Sequence, residues 1–506
     1  MRRNRRVKIV ATMGPASAEA SIVDRLVLAG VDVFRINMSH SSHATAQTYA
    51  AIVREVAAKH RHPVGILCDL QGPKFRLGEF HGGRVFLNER ATFIFDTDPT
   101  PGTSERVYLP HPQIFEGVKP GHLLLLDDGK IRMRVRSHSP ERIVAEIATG
   151  GALASRKGIS MPDTLLPVSA LTEKDHADLD CALEIDADWI ALSFVQRESD
   201  VLEAKKIIGN RAAVMVKIEK PAAVADLDAI IAAADGVMVA RGDLGVEMPV
   251  ERVPGLQKHI TRKARQAGKP VVVATQMLES MIASPVPTRA EVSDVATAVF
   301  DGADAVMLSA ESAVGQYPVE AIEVMDRVAC EVENDPSYDA FVHATEFDKQ
   351  PTGADAIAAA AYAIANTVKV AAILCYTATG STALRVARER PGLPVIGLTP
   401  IEKTARRLSI VWGIQTVLTG DPEDLAHMVR KATQIAFEEG FVKAGDGLVI
   451  TCGVPLGSPG ATNMIRLAFV DEHGLPDGHT PDDFPTGGKI RTAPKASAKV
   501  AAATGA

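Results

Sequence analysis

The chain has 506 residues, enough for about three domains at roughly 150 residues each. Its formal net charge is −7 with well-mixed signs, which argues against nonspecific nucleic-acid binding because that function requires a basic surface. The five cysteines form no CxxC pair and no segment is long and apolar enough to span a membrane, so we expect a soluble, cytoplasmic protein without disulfides or a zinc site.

In the first part of the chain, short β-branched runs alternate with amphipathic helical stretches. The runs at residues 8–13, 31–38 and 64–70 predict three strands with helices between them. The alternation then stops. Residues 73–167 are rich in strand and turn signals, and the DDGK tetrapeptide within them predicts a hairpin. We interpret residues 73–167 as an inserted all-β domain.

The alternation of strands and helices resumes at Leu171. Five further strands are predicted, at residues 189–195, 214–219, 237–240, 271–275 and 305–308. A total of eight βα units favours a closed (β/α)8 TIM barrel formed by residues 1–72 and 168–345. The pattern alone leaves an open doubly wound sheet as the alternative.

After a linker-like stretch, a third α/β pattern follows. Its predicted strands lie at residues 371–376, 395–398, 414–418 and 448–451, and they indicate a smaller α/β domain at residues 353–470. Residues 471–506 are rich in Pro, Gly, Lys and Ala and predict a disordered tail. The predicted fold class is therefore α/β: a TIM barrel with an inserted all-β domain and a C-terminal α/β domain.

Polar residues follow six of the predicted barrel strands. They occur in the sequences RINMSH (35–40), DLQGPKFR (69–76), KIEK (217–220), ARGD (240–243), TQ (275–276) and SAE (309–311). In a (β/α) barrel, catalytic groups gather where the strands end and the loops begin. The sequence therefore predicts one active site at the C-terminal mouth of the barrel.

A metal site is predicted at this mouth. Lys217 and Glu219 are two residues apart on one strand, so both side chains face the same side. Asp243 follows the neighbouring strand and can approach Glu219. Two carboxylates with open positions suit Mg²⁺ or Mn²⁺, which prefer oxygen ligands. Structural ion pairs, Lys217 with Glu219 or Arg241 with Asp243, are the alternative.

Groups able to bind an oxyanion lie in the same loops. The glycines of RGDLG (241–245) expose backbone N–H groups that can hold a carboxylate or phosphate. Arg35 and Arg76 are candidate phosphate ligands because a guanidinium group binds oxyanions in a bidentate way. Surface or interdomain salt bridges are the alternative for both. The mouth is thus predicted to bind a phosphorylated small acid together with a divalent metal.

These motifs together resemble the pyruvate kinase family. The resemblance covers residues 6–470 in order and spacing, and it rests on ATMGPAS, FRINMSH, DLQGPKFR, KIEKPAA, MVARGDLGVE, the long segment 274–313 and GATNMIR. It implies transfer of a phosphoryl group from phosphoenolpyruvate to ADP, giving pyruvate and ATP. It also implies that the insertion is a β-barrel lid that closes over the site and excludes water.

The resemblance further implies roles for individual residues. Lys217 would neutralise charge developing on the phosphoryl group and the enolate oxygen, and Glu219 and Asp243 would hold Mg²⁺ or Mn²⁺. A second metal ion would arrive with ADP. The other implied roles are phosphate binding by Arg35, carboxylate binding by Gly242, Asp243 and Thr275, enolate protonation through a relayed water near Thr275 and Ser309, and nucleotide binding by Asn37, His40, Arg76 and Lys157.

The chain departs from many family members at two positions. It has Leu70 where they carry threonine and Lys74 where they carry glutamate. That group requires a monovalent cation in a pocket whose residues correspond here to Arg35, Asn37, Ser39 and Asp69. Because a lysine supplies the charge that K⁺ would bring, we predict a K⁺-independent enzyme. The alternative is that Lys74 only contacts ADP and that K⁺ still binds.

In the C-terminal domain, a hydroxyl-rich sequence opens a helix after a strand and could form a phosphate cradle. The resemblance implies that a sugar-phosphate or nucleotide effector binds at Thr377, Thr379, Gly380, Ser381 and Thr382. An ordinary capped helix start is the alternative. The family also implies allosteric regulation and a homotetramer, with Arg289 where barrels meet.

Two other functions are weighed against this one. A related phosphoenolpyruvate or pyruvate barrel, of the citrate-lyase-subunit type, would share the metal site but lacks the β insertion and the MLSAES sequence (307–312). A catalytically inactive homologue is the non-enzyme alternative, but every expected catalytic residue is present.

Overall fold

The structure is a computed structural model that describes residues 2–166, 168–344, 351–456 and 462–477. Some predictions lie outside these ranges. These predictions concern position 167 at the end of the insertion, residue 345 at the end of the barrel, the start of the GATNMIR motif at 460–461, and the tail from 478 to 506.

A closed sheet of eight parallel strands forms the barrel. In chain order these strands are Lys8–Thr12, Val33–Asn37, Gly65–Asp69, Trp189–Leu192, Ala213–Ile218, Gly236–Ala240, Val271–Ala274 and Ala305–Leu308. The first strand pairs with both the second and the eighth, which closes the sheet. The predicted TIM barrel is therefore confirmed, and the open doubly wound alternative is wrong.

The fourth barrel strand is shorter than predicted. The sequence predicts a strand to residue 195, but the strand ends at Leu192. The reason is the backbone of Phe194, whose φ of +57° lies in the left-handed region and cannot continue a strand. The other seven predicted barrel strands agree with the structure to within two residues at each end.

Helices pack around the barrel strands. The helices of this part of the chain are Ala20–Ala29, His43–His60, Glu173–Glu184, Glu198–Ile208, Pro221–Ala225, Leu227–Ala233, Arg241–Glu247, Val253–Gln266, Arg289–Phe300, Ala310–Ala313, Pro318–Asn334, Tyr338–Val342 and Glu402–Leu408. Thr172 begins Glu173–Glu184 with a capping box, in which its hydroxyl accepts the N–H of Asp175 and the Asp175 carboxylate accepts the N–H of Thr172. No helix within the described ranges is long and apolar enough to cross a membrane.

The insertion contains two hydrogen-bonded sheets around a core of its own. In spatial order, the larger sheet contains Ile159–Ser160, Leu123–Leu126, Ile131–Ser139, Arg142–Thr149, Thr92–Asp96 and Arg106–Tyr108, and the smaller one pairs Gly151–Ala154 with Arg84–Leu87. A short helix, Pro112–Gly117, interrupts the strands. The predicted DDGK hairpin is present, with Asp127 and Asp128 both at positive φ. The family resemblance predicts that the strands of this insertion form a single β-barrel. In the structure, backbone hydrogen bonds join them into two separate sheets.

The chain divides into two compact units. Among the described residues, one comprises residues 2–344 and 401–416, and the other residues 351–400 and 417–477. The C-terminal sheet has the spatial order Ile414–Leu418, Val395–Thr399, Ala372–Tyr376, Gly447–Gly453 and Thr462–Phe469, accompanied by the helices Gly353–Val368, Ser381–Arg388 and Leu425–Glu438. At its end, Asp471 Oδ1 accepts the N–H groups of His473 and Leu475, so a hydrogen-bonded turn lies where the tail is predicted to begin.

Residues 401–416 pack against the N-terminal face of the barrel, where the strands begin. Arg406 Nε donates to Asp188 Oδ1 at 2.8 Å, and Asp188 is fully buried before the fourth strand. Lys8 Nζ, in the first strand, donates to the carbonyl oxygen of Ile414 at 2.6 Å. The sequence predicts this stretch as part of a C-terminal domain, whereas its contacts belong to the barrel unit.

A buried ionic cluster lies at the same face. Arg5 NH1 is 2.8 Å from Asp32 Oδ2, and Arg5 Nε is 2.6 Å from Asp326 Oδ1. Arg3 Nε adds a longer contact of 3.4 Å to Asp32. Burial alone would raise the pKa of Asp32, but Arg5, Lys8 and Arg3 outweigh burial and hold this pKa well below its ordinary value.

Candidate active site

The ammonium group of Lys217 lies at the C-terminal mouth of the barrel. Its Nζ is 2.7 Å from Glu219 Oε1 and 3.4 Å from Asp69 Oδ1, and it donates to Ser193 Oγ at 2.8 Å. Burial would lower the pKa of Lys217, but Asp69, Glu219 and Asp243 outweigh burial and raise it. Lys217 is therefore a fixed cation throughout the physiological pH range.

Asp69 connects Lys217 to a second cation, Arg35. Arg35 Nε donates to Asp69 Oδ2 at 2.8 Å, while Asp69 Oδ1 faces Lys217. Arg35 NH1 also donates to Thr12 Oγ1 at 3.1 Å. Burial would raise the pKa of Asp69, yet Lys217 and Arg35 hold it below its ordinary value. Two positive groups are thus held around one carboxylate, an arrangement that can bind an oxyanion.

Glu219 is suited to hold a metal ion. It is 1% exposed, and its Oε2 accepts the N–H of Phe194 at 2.9 Å. Oε1 lies close to Lys217 Nζ, but it receives no hydrogen bond of normal geometry from the described residues. Burial, together with the charge of Asp243, raises the pKa of Glu219 against the opposing charge of Lys217. A buried carboxylate that lies beside a fixed cation and near a second carboxylate fits Mg²⁺ or Mn²⁺, which prefer oxygen ligands.

Asp243 is the second carboxylate predicted for such an ion, and its charge acts on both Lys217 and Glu219. Asp243 lies in the first turn of the helix Arg241–Glu247, directly after the sixth strand. Within the described part of the chain, no group of three or more His, Cys, Asp or Glu side chains is placed to hold a metal. Mg²⁺ is usually bound through one or two carboxylates and fills its other positions with substrate oxygens and water.

Two site residues, Ser193 and Phe194, are missing from the sequence prediction. Ser193 Oγ accepts from Lys217 and donates to the carbonyl oxygen of Leu70 at 2.8 Å. The backbone of Phe194 donates to Glu219. The only sequence signal is their position just after an apolar run, which the prediction assigned to the strand itself.

A backbone turn follows the sixth and seventh strands. Gly242 N donates to Thr275 Oγ1 at 2.8 Å, and Thr275 Oγ1 donates to the carbonyl oxygen of Ala274 at 2.6 Å. Arg241 NH1 pairs with Asp294 at 2.6 Å, rather than with Asp243 as one alternative had it. By contrast, the alternative pair of Lys217 with Glu219 does form.

Ser309 begins the short helix Ala310–Ala313 after the eighth strand. Its backbone N–H donates to Glu311 Oε2 at 2.7 Å. Ser309 and Thr275 both lie at strand ends on this face, and no hydrogen bond joins them among the described residues.

A cleft separates the barrel mouth from the insertion. It is lined by Pro73, Lys74, Phe75, Asp128, Gly158, Ile159, Ser160, Phe194, Lys220, Asp243, Val246 and Glu247. The Lys220 and Glu247 side chains, which the sequence prediction also missed, form an ion pair of 2.5 Å on its wall. Of the predicted nucleotide ligands, Lys157 Nζ is 2.7 Å from Asp127 Oδ1, Arg76 NH1 donates to Arg156 O at 3.2 Å, and His40 is exposed.

The predicted monovalent-cation pocket follows the second and third strands. Asn37 and Asp69 are register neighbours, and Asn37 Oδ1 accepts the N–H of Ser39 at 3.0 Å. Leu70 is buried and has no side-chain oxygen to offer a cation. Lys74 is exposed in the cleft, and its ammonium group forms no ion pair with any described residue.

The predicted effector residues lie together in the second unit. Gly380 N donates to Thr377 Oγ1 at 2.9 Å, and Gly380 has a φ of +90° directly before the helix Ser381–Arg388. Thr379 Oγ1 donates to Ser381 Oγ at 3.2 Å, and Thr382 Oγ1 is 2.6 Å from Thr462 Oγ1.

Comparison with known proteins finds similarity along most of the chain. The family model described as "Pyruvate kinase, barrel domain" matches residues 4–322, and "Pyruvate kinase, alpha/beta domain" matches residues 355–468. A pyruvate kinase of Methylorubrum extorquens is 55% identical over 470 residues, which are 93% of this chain and 98% of that protein.

More distant relatives give the same result. A pyruvate kinase of Clostridium acetobutylicum is 38% identical over 92% of this chain and 100% of its own length. A crystal structure of a pyruvate kinase from Cryptosporidium parvum superposes with a TM-score of 0.88 at 34% identity, covering 92% of this chain and 96% of that one.

Proposed function

The chain belongs to the pyruvate kinase family, and from that premise we propose that the Lys217 cluster carries out its reaction. The reaction transfers the phosphoryl group of phosphoenolpyruvate to ADP in glycolysis and gives pyruvate and ATP. The observation that supports this site most strongly is the buried Lys217 ammonium held between Asp69 and Glu219.

Lys217 acts by electrostatic stabilisation. Because it is buried and fixed by three neighbours, its charge is poorly screened and needs no reorganisation during the reaction. It offsets the negative charge that develops on the transferring phosphoryl group and on the enolate oxygen. Arg35, held by Asp69 and Thr12, binds the phosphate oxygens.

Glu219 and Asp243 would hold the divalent ion, Mg²⁺ or Mn²⁺, which when bound neutralises charge on substrate and phosphoryl oxygens. The backbone N–H groups at Gly242 and Asp243 would bind the substrate carboxylate, which would replace Thr275 Oγ1 as the acceptor for Gly242. The Thr275 hydroxyl donates to the carbonyl of Ala274. The proton for the enolate therefore comes through a water molecule near Thr275 and Ser309, rather than from the threonine directly.

The metal assignment can be tested separately from turnover. In a lactate-dehydrogenase-coupled assay with phosphoenolpyruvate, ADP and Mg²⁺, we expect pyruvate formation. For Glu219→Gln, we expect Mn²⁺ binding in the absence of substrates, measured by electron paramagnetic resonance, to weaken at least about tenfold, or about 1.4 kcal/mol. The reason is that the amide removes the negative charge of the buried side chain that would hold the ion.

Glu247→Gln is the matched control, since Glu247 is also a buried glutamate paired with a lysine in the same cleft. It should leave Mn²⁺ affinity close to that of the wild type. Absence of pyruvate formation with and without K⁺, or equal Mn²⁺ affinity for wild type and Glu219→Gln, would contradict the proposal.

The enzyme does not require K⁺. Leu70 removes a side-chain oxygen from the pocket, and the Lys74 ammonium has no competing ion pair among the described residues, so it is available to supply the monovalent charge. We expect activity to persist when a bulky organic cation replaces K⁺. Lys74→Glu should then lose at least about tenfold in kcat/KM without K⁺ and recover when K⁺ is added.

Lys130→Glu is the control, because it makes the same change of charge elsewhere on the insertion, at a lysine that pairs with Asp127. This variant should not become dependent on K⁺. Strong K⁺ dependence of the wild-type enzyme would overturn this part of the proposal and would support a role for Lys74 in contacting ADP alone.

The remaining assignments stay predictions: a second metal ion bound with ADP, a homotetramer, a cytoplasmic location, and an effector at the Thr377–Thr382 loop. Activity assays across a panel of sugar phosphates and nucleotides would identify the effector. The Thr382→Val variant, which changes the proposed effector loop, would be assayed beside the wild type.

A further inference from the structure

Phe194 has a backbone conformation that a bulky residue rarely adopts. Its φ is +57°, in the left-handed region that favours glycine and asparagine. Such strain persists only where the surroundings impose it, and it concentrates at functional sites. An observed outlier of this kind therefore calls for a functional explanation.

The turn that contains this strained residue places the Phe194 N–H at the proposed metal site. The Phe194 N–H donates to Glu219 Oε2 at 2.9 Å, while the other carboxylate oxygen, Oε1, lacks a hydrogen bond of normal geometry. One oxygen of the buried carboxylate is thus fixed by the backbone, and the second lies on the cationic side of the site, 2.7 Å from Lys217 Nζ, where a divalent ion would also bind. Had Phe194 continued the strand, its N–H would have entered the sheet instead.

Contacts on both sides hold the Phe194 backbone in place. Ser193 Oγ donates to the carbonyl oxygen of Leu70 at 2.8 Å, and Gln196 N donates to Asp200 at 2.8 Å. Gly72, in the connection to the insertion, approaches so closely that a Cβ there would lie 2.8 Å from Ser193 O and 3.0 Å from the Phe194 ring. The conformation is therefore imposed from several directions.

We propose that Phe194 is a positioning residue whose backbone N–H, held in a turn that requires the left-handed conformation at this position, orients Glu219 for binding the divalent ion. The inference rests on the proposed function, because it takes Glu219 as a metal ligand. The proposal assigns the role to the Phe194 backbone and not to its ring. The ring contacts a different group, with its centroid 5.5 Å from the Lys220 ammonium.

The test separates backbone from ring. Phe194→Gly and Phe194→Asn remove the ring but tolerate positive φ, whereas Phe194→Val also removes the ring and strongly disfavours positive φ because it is β-branched. Asparagine and valine are similar in size, so they form a matched pair. The readout is the Mn²⁺ dissociation constant of the substrate-free enzyme, measured by electron paramagnetic resonance.

We expect Phe194→Gly and Phe194→Asn to bind Mn²⁺ within about threefold of the wild type, and Phe194→Val to bind about tenfold more weakly. The KM for ADP should change less than the metal affinity in all three variants. If Phe194→Val does not fold, Phe194→Ala replaces it, with a loss between those of the asparagine and valine variants.

Equal weakening in all variants would assign the role to the ring and overturn the proposal. Equal, wild-type affinity in all of them would overturn it as well. These failures are distinguishable from failure of the proposed function, which is decided by Glu219→Gln alone: if that variant keeps wild-type Mn²⁺ affinity, the metal assignment fails whatever the Phe194 variants do.

Discussion

Replacing Lys217 with methionine should lower kcat by about 10³-fold at saturating phosphoenolpyruvate and ADP. Methionine keeps a similar length but removes the cation, so Asp69, Glu219 and Asp243 are left without the charge that they share. The loss should fall on kcat more than on KM, because the cation acts on charge that develops during the transfer. The coupled assay over a range of both substrates measures the two parameters.

A second readout separates loss of catalysis from loss of fold. Lys217 Nζ occupies the side of Glu219 that faces a metal ion, so Mn²⁺ should bind Lys217→Met at least as tightly as the wild type. Lys220→Met is the matched control, as this lysine also pairs with a buried glutamate at the same cleft. If Lys220→Met lost as much kcat as Lys217→Met, the special role of Lys217 would be refuted.

Asp32→Asn should lower the free energy of unfolding of the barrel unit by about 3–5 kcal/mol. The reason is that the substitution removes the negative charge that pairs with Arg5 and Arg3. The two guanidinium groups stay buried, so water cannot solvate them in place of the lost carboxylate. Burial already lowers the pKa of Lys8 to about 8, and the Asp32 charge opposes that shift. Urea unfolding followed by tryptophan fluorescence measures the loss, and kcat in native conditions should change little.

The wild type and Asp32→Asn should also differ in how their free energy of unfolding depends on pH. The folded-state pKa of Asp32 lies below its ordinary value of 3.8, so its contribution is fully present above pH 3.8 and is lost as the pH falls below that value. Wild-type stability should therefore fall more steeply in acid than that of Asp32→Asn. Asp24→Asn, at a surface pair with Lys59 and His60, should have a far smaller effect. Equal losses in Asp32→Asn and Asp24→Asn would contradict this explanation.

Much of the barrel and of its mouth could be predicted because strand geometry is regular. Alternation of side chains along a strand is enough to put Lys217 and Glu219 on one side, and the parallel order brings Asp243 beside them. The same regularity fails at Ser193 and Phe194. Apart from Ser193 the run WIALSFV is apolar, and nothing in it signals that the backbone turns to positive φ at Phe194.

Longer-range features are also absent from local patterns. The helix Glu402–Leu408 has the composition of any helix in an α/β domain, so its periodicity does not say that Arg406 pairs with Asp188 of the barrel. Lys74 belongs to a loop, where no strand register fixes the side chain, so spacing alone could not show whether its ammonium reaches the predicted monovalent-cation pocket. Its position in the cleft depends on the insertion.

The contact between Lys8 and Ile414 has a consequence for synthesis of the protein on the ribosome. The two residues are 406 positions apart, so at about 5–20 residues per second the first strand emerges roughly 20–80 s before this partner exists. The eighth strand, to which the first must also pair, comes late as well. During that interval the first strand can pair with the second but not with the eighth, so one edge of the strand stays unpaired until most of the chain has been made.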